Sequence, residues 1–265
     1  MKTFITRAFL LLILFWILTH LSSWFSFIDN IGAASCQEES VDAISDEDSL
    51  RIHTRNWRGK HQSYCTDFEV SRRDFRESTQ HKNDFDLQHG NLYHQVWGDL
   101  YKALYSHNTQ HLQSLKDSLL VIKAERALGR NEFADAVVKF IQDIPYAYIE
   151  QDSCLEGRSK PCVSNQSYGI TTPVEFMYSL KGDCDSRTLI LYTLLKDFGY
   201  RPLILISREY LHSMLALDIQ SAGEYIFHNG QKFYFWETTA KGWESGIIPP
   251  GMGNKKYWNI ALDYE

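Results

Sequence analysis

The spacing of apolar residues changes twice along this chain. In the middle it is helical. "NLYHQVWGDLYKALYS" is apolar at 92, 93, 96, 97, 100, 104 and 105, which predicts a helix. "NTQHLQSLKDSLLVIKAERALG" repeats the stripe through Leu112, Leu115, Leu119 and Ile122, with Gly129 as its expected stop. "NEFADAVVKFIQDIPY" sets Phe133, Val137 and Phe140 on one face and should end before Pro145. Upstream, "SYCTDFEV" puts Tyr64, Thr66, Phe68 and Val70 at alternate positions, a strand pattern. Further on, Thr172 followed by Pro173 reads as an N-cap and first-turn proline, opening a short helix to about Leu180. A second helix begins at Cys184, buries Leu189, Tyr192, Leu195 and Phe198, and stops at Gly199. Beyond it the period becomes that of strands. "RPLILIS" is a buried strand, "HSMLALDI" alternates, and "EYIFHNGQKFYFWETT" reads as two strands joined at Asn-Gly. The predicted core is α+β, a cysteine-bearing helix packed on a small antiparallel sheet.

The first residues follow a different rule. Lys2 and Arg7 precede the apolar run "AFLLLILFWIL", and no Lys or Arg occurs from residue 8 to residue 50. This is the pattern of a signal peptide or membrane anchor at 1–28, with the bulk of the chain carried across the membrane. "AASC" at 33–36 also offers cleavage before Cys36, or an imperfect lipidation site at that cysteine. "QEESVDAISDEDS" holds six acids and no base, so 29–55 reads as an acidic flexible tether. Residues 56–130 follow as a mainly helical extension, and 131–265 as the functional domain.

A net charge of -6 gives a nucleic-acid partner no electrostatic support. The ten histidines read as scattered, and no metal or organic cofactor is called for. Five cysteines in an exported chain leave at least one thiol over. Cys154 and Cys162 bracket a polar loop and could close it as a disulfide. Cys184, at a helix start, is the best candidate for the free thiol.

A thiol at a helix N-terminus is expected to be drawn towards thiolate. His212, at the start of a predicted strand, is a candidate base beside it, and Glu237, on a neighbouring strand, a carboxylate to orient that base. Asp218 is the fallback acid, but it lies six residues from His212 on the same strand. Taken together, "GDCDSRTLILYTLLKDFGYRPLILI", "HSMLAL" and "FYFWETTAKGW" resemble the transglutaminase-like superfamily of papain-like cysteine enzymes, bacterial and archaeal members most closely. The resemblance runs from about 133 to 250, and includes "FIQDIPY" and "TTPVEFMYSLKGDC". It implies Cys184 as nucleophile, His212 as general base and acid, and Glu237 as the orienting carboxylate. Glu-Thr-Thr departs from the Asp-Pro-Thr common in that family. The backbone N–H of Cys184 would be one oxyanion donor, and Gln142 a second unless it is a plain helix-end glutamine. Trp236 and Trp243 are candidates for the cleft or for the core. The implied activity is hydrolysis or acyl transfer on peptide or protein amides, without cofactor. A non-catalytic envelope module of the same fold is the alternative. A thiol-exchange protein would need a resolving cysteine near Cys184, and no CxxC is present.

Overall fold

The computed structural model describes residues 36–44, 49–87, 92–157 and 159–265. The leader read at 1–28 lies outside the described residues. No helix among those described is long and apolar enough to cross a membrane.

The chain opens as a three-stranded antiparallel sheet in the order β1 (Glu39–Ile44), β2 (Ser49–Arg58), β3 (Ser63–Ser71). Over residues 39–44 and 49–55 this corrects the reading of a flexible tether, while 29–35 and 45–48 lie outside the described residues. The acids of β1 are no obstacle to pairing, because the strand lies at a sheet edge and its Asp42 meets Arg51 on β2 at 2.7 Å. A disulfide between Cys36 and Cys65 ties the start of this segment to β3. Cys36 is therefore not the modified terminal thiol that "AASC" allowed. The expected Cys154–Cys162 disulfide is present, and Cys184 is the free cysteine.

Next come α1 (Arg72–Asp84), α2 (Tyr93–Asn108), α3 (Gln113–Glu125) and α4 (Arg130–Asp143). Gly129 is the N-cap of α4 and not the stop of α3, which ends four residues earlier. A minimal parallel pair, β4 (Tyr148–Ile149) and β5 (Cys162–Val163), leads to α5 (Pro173–Ser179) and α6 (Cys184–Asp197). The last part is a five-stranded antiparallel sheet in the order β10-β6-β7-β9-β8. Its strands are β6 (Pro202–Ser207), β7 (His212–Leu217), β8 (Tyr225–His228), β9 (Gln231–Trp236) and β10 (Asn259–Leu262). Asn229 and Gly230 both take positive φ in the β8–β9 turn, as a two-residue hairpin requires.

Both faces of this sheet are covered, which explains why β6 is an unbroken apolar run. Ile204, Ile206, Leu215 and Leu217 face the α6 side, while Leu203, Leu205, Met214 and Phe235 pack around Trp258 on the other. The N-terminal layer shares this core. Trp57, Tyr64, Phe68 and Val70 lie in one cluster with Phe140, Leu191, Leu215 and Trp236. The Trp57 indole also donates to the Ala136 carbonyl at 2.9 Å. Residues 56–130 are thus not an extension appended at residue 131; they complete the same core. Gly98 shows how closely the layers meet, since a Cβ there would lie 2.1 Å from the Ala261 carbonyl on β10.

Helix α1 has little apolar surface, and no stripe marked it in the sequence. It is held by polar contacts. Lys82 is 1% exposed and its ammonium donates to Glu175 (2.7 Å), Ile170 O (3.0 Å) and Gln166 (3.1 Å). The Glu175 side chain also accepts from the Thr172 N–H at 2.7 Å, closing the capping box of α5. Removing one partner of a buried ion pair strands the other charge. Lys82→Met is therefore expected to cost about 3–5 kcal/mol in urea unfolding, with much of the loss recovered in Lys82→Met/Glu175→Gln. Equal stability of the single variant and wild type would show that the pair does not hold α1.

Candidate active site

Cys184 is positioned by a short chain of local constraints. Helix α5 ends on Leu180 in the left-handed conformation, φ 52° and ψ 39°. Gly182 follows where any side chain would collide with Phe176, 2.3 Å from an ideal Cβ. Asp183 then caps α6, accepting from the Ser186 N–H (3.2 Å) and hydroxyl (2.8 Å). Cys184 is the first residue of the helix and 7% exposed.

Arg187, one turn on, is fully buried and bonds only to backbone carbonyls. It donates to Gly182 (3.2 Å), Ile141 (2.7 Å), Thr238 (3.2 Å) and Ile144. It thereby joins the turn before Cys184 to the end of α4 and to the segment after β9.

That last segment carries Glu237, 1% exposed. One carboxylate oxygen meets His212 Nε2 at 2.8 Å. The other accepts from the Thr238 N–H (2.8 Å), the Thr239 N–H (2.8 Å) and the Thr239 hydroxyl (2.7 Å). Burial raises the pKa of this carboxyl, but the bonds from His212 and Thr239 outweigh it and hold it below the ordinary carboxylate value. Glu237 is thus ionised and oriented by the two threonines of "ETT". His212 packs its ring 6.1 Å from that of Trp258.

The thiol begins the helix that packs on β7, the strand that His212 opens, and no hydrogen bond joins it to this pair among the described residues. Its hydrogen bond, however, runs to Asp185 Oδ2, at 3.8 Å. Burial and the charges of Asp185 and Asp183 push the thiol well above its usual value, and the Ser213 donors only partly offset them. The expectation of a thiolate drawn out by the helix N-terminus therefore fails in this arrangement. The helix end favours thiolate, but burial and the two acids flanking the cysteine oppose it and prevail.

Gln142 is not an oxyanion donor. It is 2% exposed, and its amide group donates to the carbonyls of Glu237 (2.7 Å) and Trp243 (3.0 Å), bracing the acid's segment. Asp218 is paired with Arg201 at 2.6 Å and takes no part. Trp236 belongs to the core, its indole N–H on the Trp243 carbonyl at 3.1 Å.

Several site residues escaped the sequence reading. The Tyr146 phenol neighbours Cys184 and Asp183, and burial and the charges of those two raise its pKa. Tyr101, on α2, is fully buried and donates to Asp185 at 2.6 Å. "IPY" beside Pro145 offered a weak signal for the first, and nothing in the helical stripe distinguished the second. A cavity of ≈ 550 Å³ opens elsewhere, between Tyr64, Leu128, Ile219 and Trp236.

Asp183 is the group whose titration should be visible. Burial, with the Asp185 charge, raises its carboxyl to about 8. A carboxyl raised on folding stabilises the protein below its unfolded pKa of about 4, and that contribution is lost as pH rises towards 8. Asp183→Asn keeps a capping oxygen and removes the charge. The variant should lose less stability than wild type between pH 4 and 8, and its Cys184 should alkylate at lower pH. Identical pH profiles would remove Asp183 from the electrostatics of the thiol.

Neither the family models, the curated proteins nor the solved structures give a significant match to this chain, so its site is read from its own geometry.

Proposed function

We propose that this chain is a cysteine-dependent amide hydrolase or acyl transferase of transglutaminase-like type, acting on peptides or proteins. The observation that carries the reading is the His212–Glu237 pair at 2.8 Å, with the carboxylate fixed by three further donors, on a sheet whose His212 strand packs against the helix that the chain's free thiol begins. A base oriented by a buried ionised carboxylate is the costly part of such a site, and packing alone gives no reason to build it. The order of elements, cysteine at a helix start, histidine on a strand and acid after the adjoining strand, also suits the transglutaminase-like core. Glu237 replaces the usual aspartate, and Thr238 and Thr239 fix its free oxygen.

In the proposed reaction, Glu237 occupies Nε2 of His212, so Nδ1 is the nitrogen left to take the thiol proton. The sulfur attacks the amide carbon, the C–S bond forms, and the carbonyl electron pair moves onto oxygen beside the Cys184 N–H. Collapse breaks the C–N bond while His212 returns its proton to the leaving amine. The thioester then passes to water, giving an acid, or to a second amine, giving a new amide. Either way the thiol is regenerated. The thiol must leave Asp185 for His212 before the first step.

The chain is further proposed to be exported and membrane-tethered or secreted. Two disulfides suit an oxidising compartment, and the apolar leader suits passage through the membrane.

One observation favours a second reading, a binding module that retains the fold. The thiol is buried, bonded to Asp185 and held protonated by its acidic neighbours. Iodoacetamide labelling of Cys184 across pH, read by mass spectrometry, separates the two. Under the enzyme reading, wild type labels well below the ordinary thiol range, while His212→Ala shifts labelling upward and Glu237→Gln gives an intermediate shift. A slow, unshifted profile in all three, with no thioester trapped from peptide amides, would leave the binding module.

A further inference from the structure

Outside the proposed active site, three side chains converge between α1 and the turn that follows α2. Asp74 and Glu77 stand one turn apart on α1, and His111 comes from the 3-10 turn Thr109–Leu112. One ligand atom of each lies within 4.8 Å of the other two, and His111 Nδ1 is 3.1 Å from Asp74 Oδ1. Two more imidazoles adjoin them. His81, further along α1, stacks on His107 with ring centroids 4.0 Å apart, and His107 lies 5.5 Å from His111. The Nε2 atoms of His81 and His107 are both buried without a hydrogen-bond partner among the described residues. Polar atoms left in that state cost free energy and call for a partner such as an ion or a water. None of these five residues lies on an element carrying Cys184, His212 or Glu237.

We propose that Asp74, Glu77 and His111 bind a divalent transition-metal ion, zinc by preference, which clips α1 to the turn after α2. Two carboxylates and an imidazole suit zinc, whereas calcium and magnesium take oxygen ligands. Bonds of about 2.0–2.2 Å require the three ligand atoms to close up by more than 1 Å, roughly, from their present limit. Glu77 is exposed and long enough to make that movement. His111 also has a partner to orient it. Its Nε2 is 3.2 Å from the Gln110 amide. With metal on Nδ1 the proton moves to Nε2, and the amide turned over accepts it, as outer partners of ligating histidines do. His107, four residues before His111, has its ring 5.5 Å away and stands outside the three-residue cluster, so water is left to complete the coordination. The pair His107 and His111 corrects the reading of the histidines as scattered, since they stand four residues apart. The clip would add to the neutral tie between the same helices, Ser78 to Asn108 at 2.5 Å.

The test uses the full chain, purified in detergent, stripped with a chelator and titrated with Zn²⁺ against a chromophoric competitor. One equivalent should bind with a Kd on the order of micromolar or tighter. Asp74→Asn and His111→Ala should each weaken binding by at least about tenfold. Cys184→Ser should bind as wild type does, and Co²⁺ in place of zinc should give a spectrum without a thiolate charge-transfer band. Circular dichroism reports whether each variant folds. If His111→Ala does not, Asp74→Asn and the wild-type cobalt spectrum decide. Absence of binding at about 100 micromolar, binding indifferent to both variants, or binding lost only in Cys184→Ser would overturn the site.

Discussion

The buried guanidinium of Arg187 is the constraint on which the proposed site depends. Cys184, Tyr146 and Glu237 come from three separate stretches of chain, and each stretch sends a carbonyl to the same cation. No carboxylate among the described residues pairs with it. The desolvation of a buried charge is offset instead by peptide dipoles, and burial still pulls the arginine down to about 10. A lysine could not substitute, because the planar fork reaches several carbonyls in fixed directions at once. Gln142 adds a second brace from α4 to the carbonyls of Glu237 and Trp243. Together the two residues hold the loop after α4, the turn before α6 and the exit of β9 as one unit.

The two halves of the site are unequally prepared. His212 and Glu237 are already aligned, with every oxygen of the carboxylate engaged. The thiol is parked on Asp185, which Tyr101 holds from the N-terminal layer. Acids on both sides of the cysteine keep the proton on sulfur, and moving it to His212 therefore carries a free-energy cost that the helix end does not cover. Chemistry at this site would need a rearrangement of the thiol or a change in the charge of its neighbours.

The N-terminal layer enters the site in a second way. The Lys82–Glu175 pair and the Ser78 contacts to Asn108 and Thr172, both at 2.5 Å, converge on the cap of α5. Helix α5 ends two residues before the turn at Gly182, so polar contacts from α1 and α2 help set where Cys184 begins its helix. These polar ties add to the apolar core that residues 57–128 share with those further along the chain.

What the sequence determined was local. Period and caps placed α2, α4, α5 and α6, the Asn-Gly hairpin and the buried run of β6, because each follows from side chains a few positions apart. The alternating Tyr64, Phe68 and Val70 marked β3 for the same reason. The odd cysteine count and the helix start at Cys184 pointed to the free thiol, and strand ends put His212 and Glu237 within reach of one another. Tertiary structure decided the rest. Edge pairing and the Cys36–Cys65 bond made a strand of an acidic segment that composition read as solvated. Helix α1 has no stripe to read, since Lys82 is buried only when Glu175 arrives from far along the chain. The state of the thiol, the bracing roles of Arg187 and Gln142 and the meeting of Asp74 with His111 likewise depend on groups distant in sequence. Burial and electrostatics act through space, and no pattern along the chain encodes their sum.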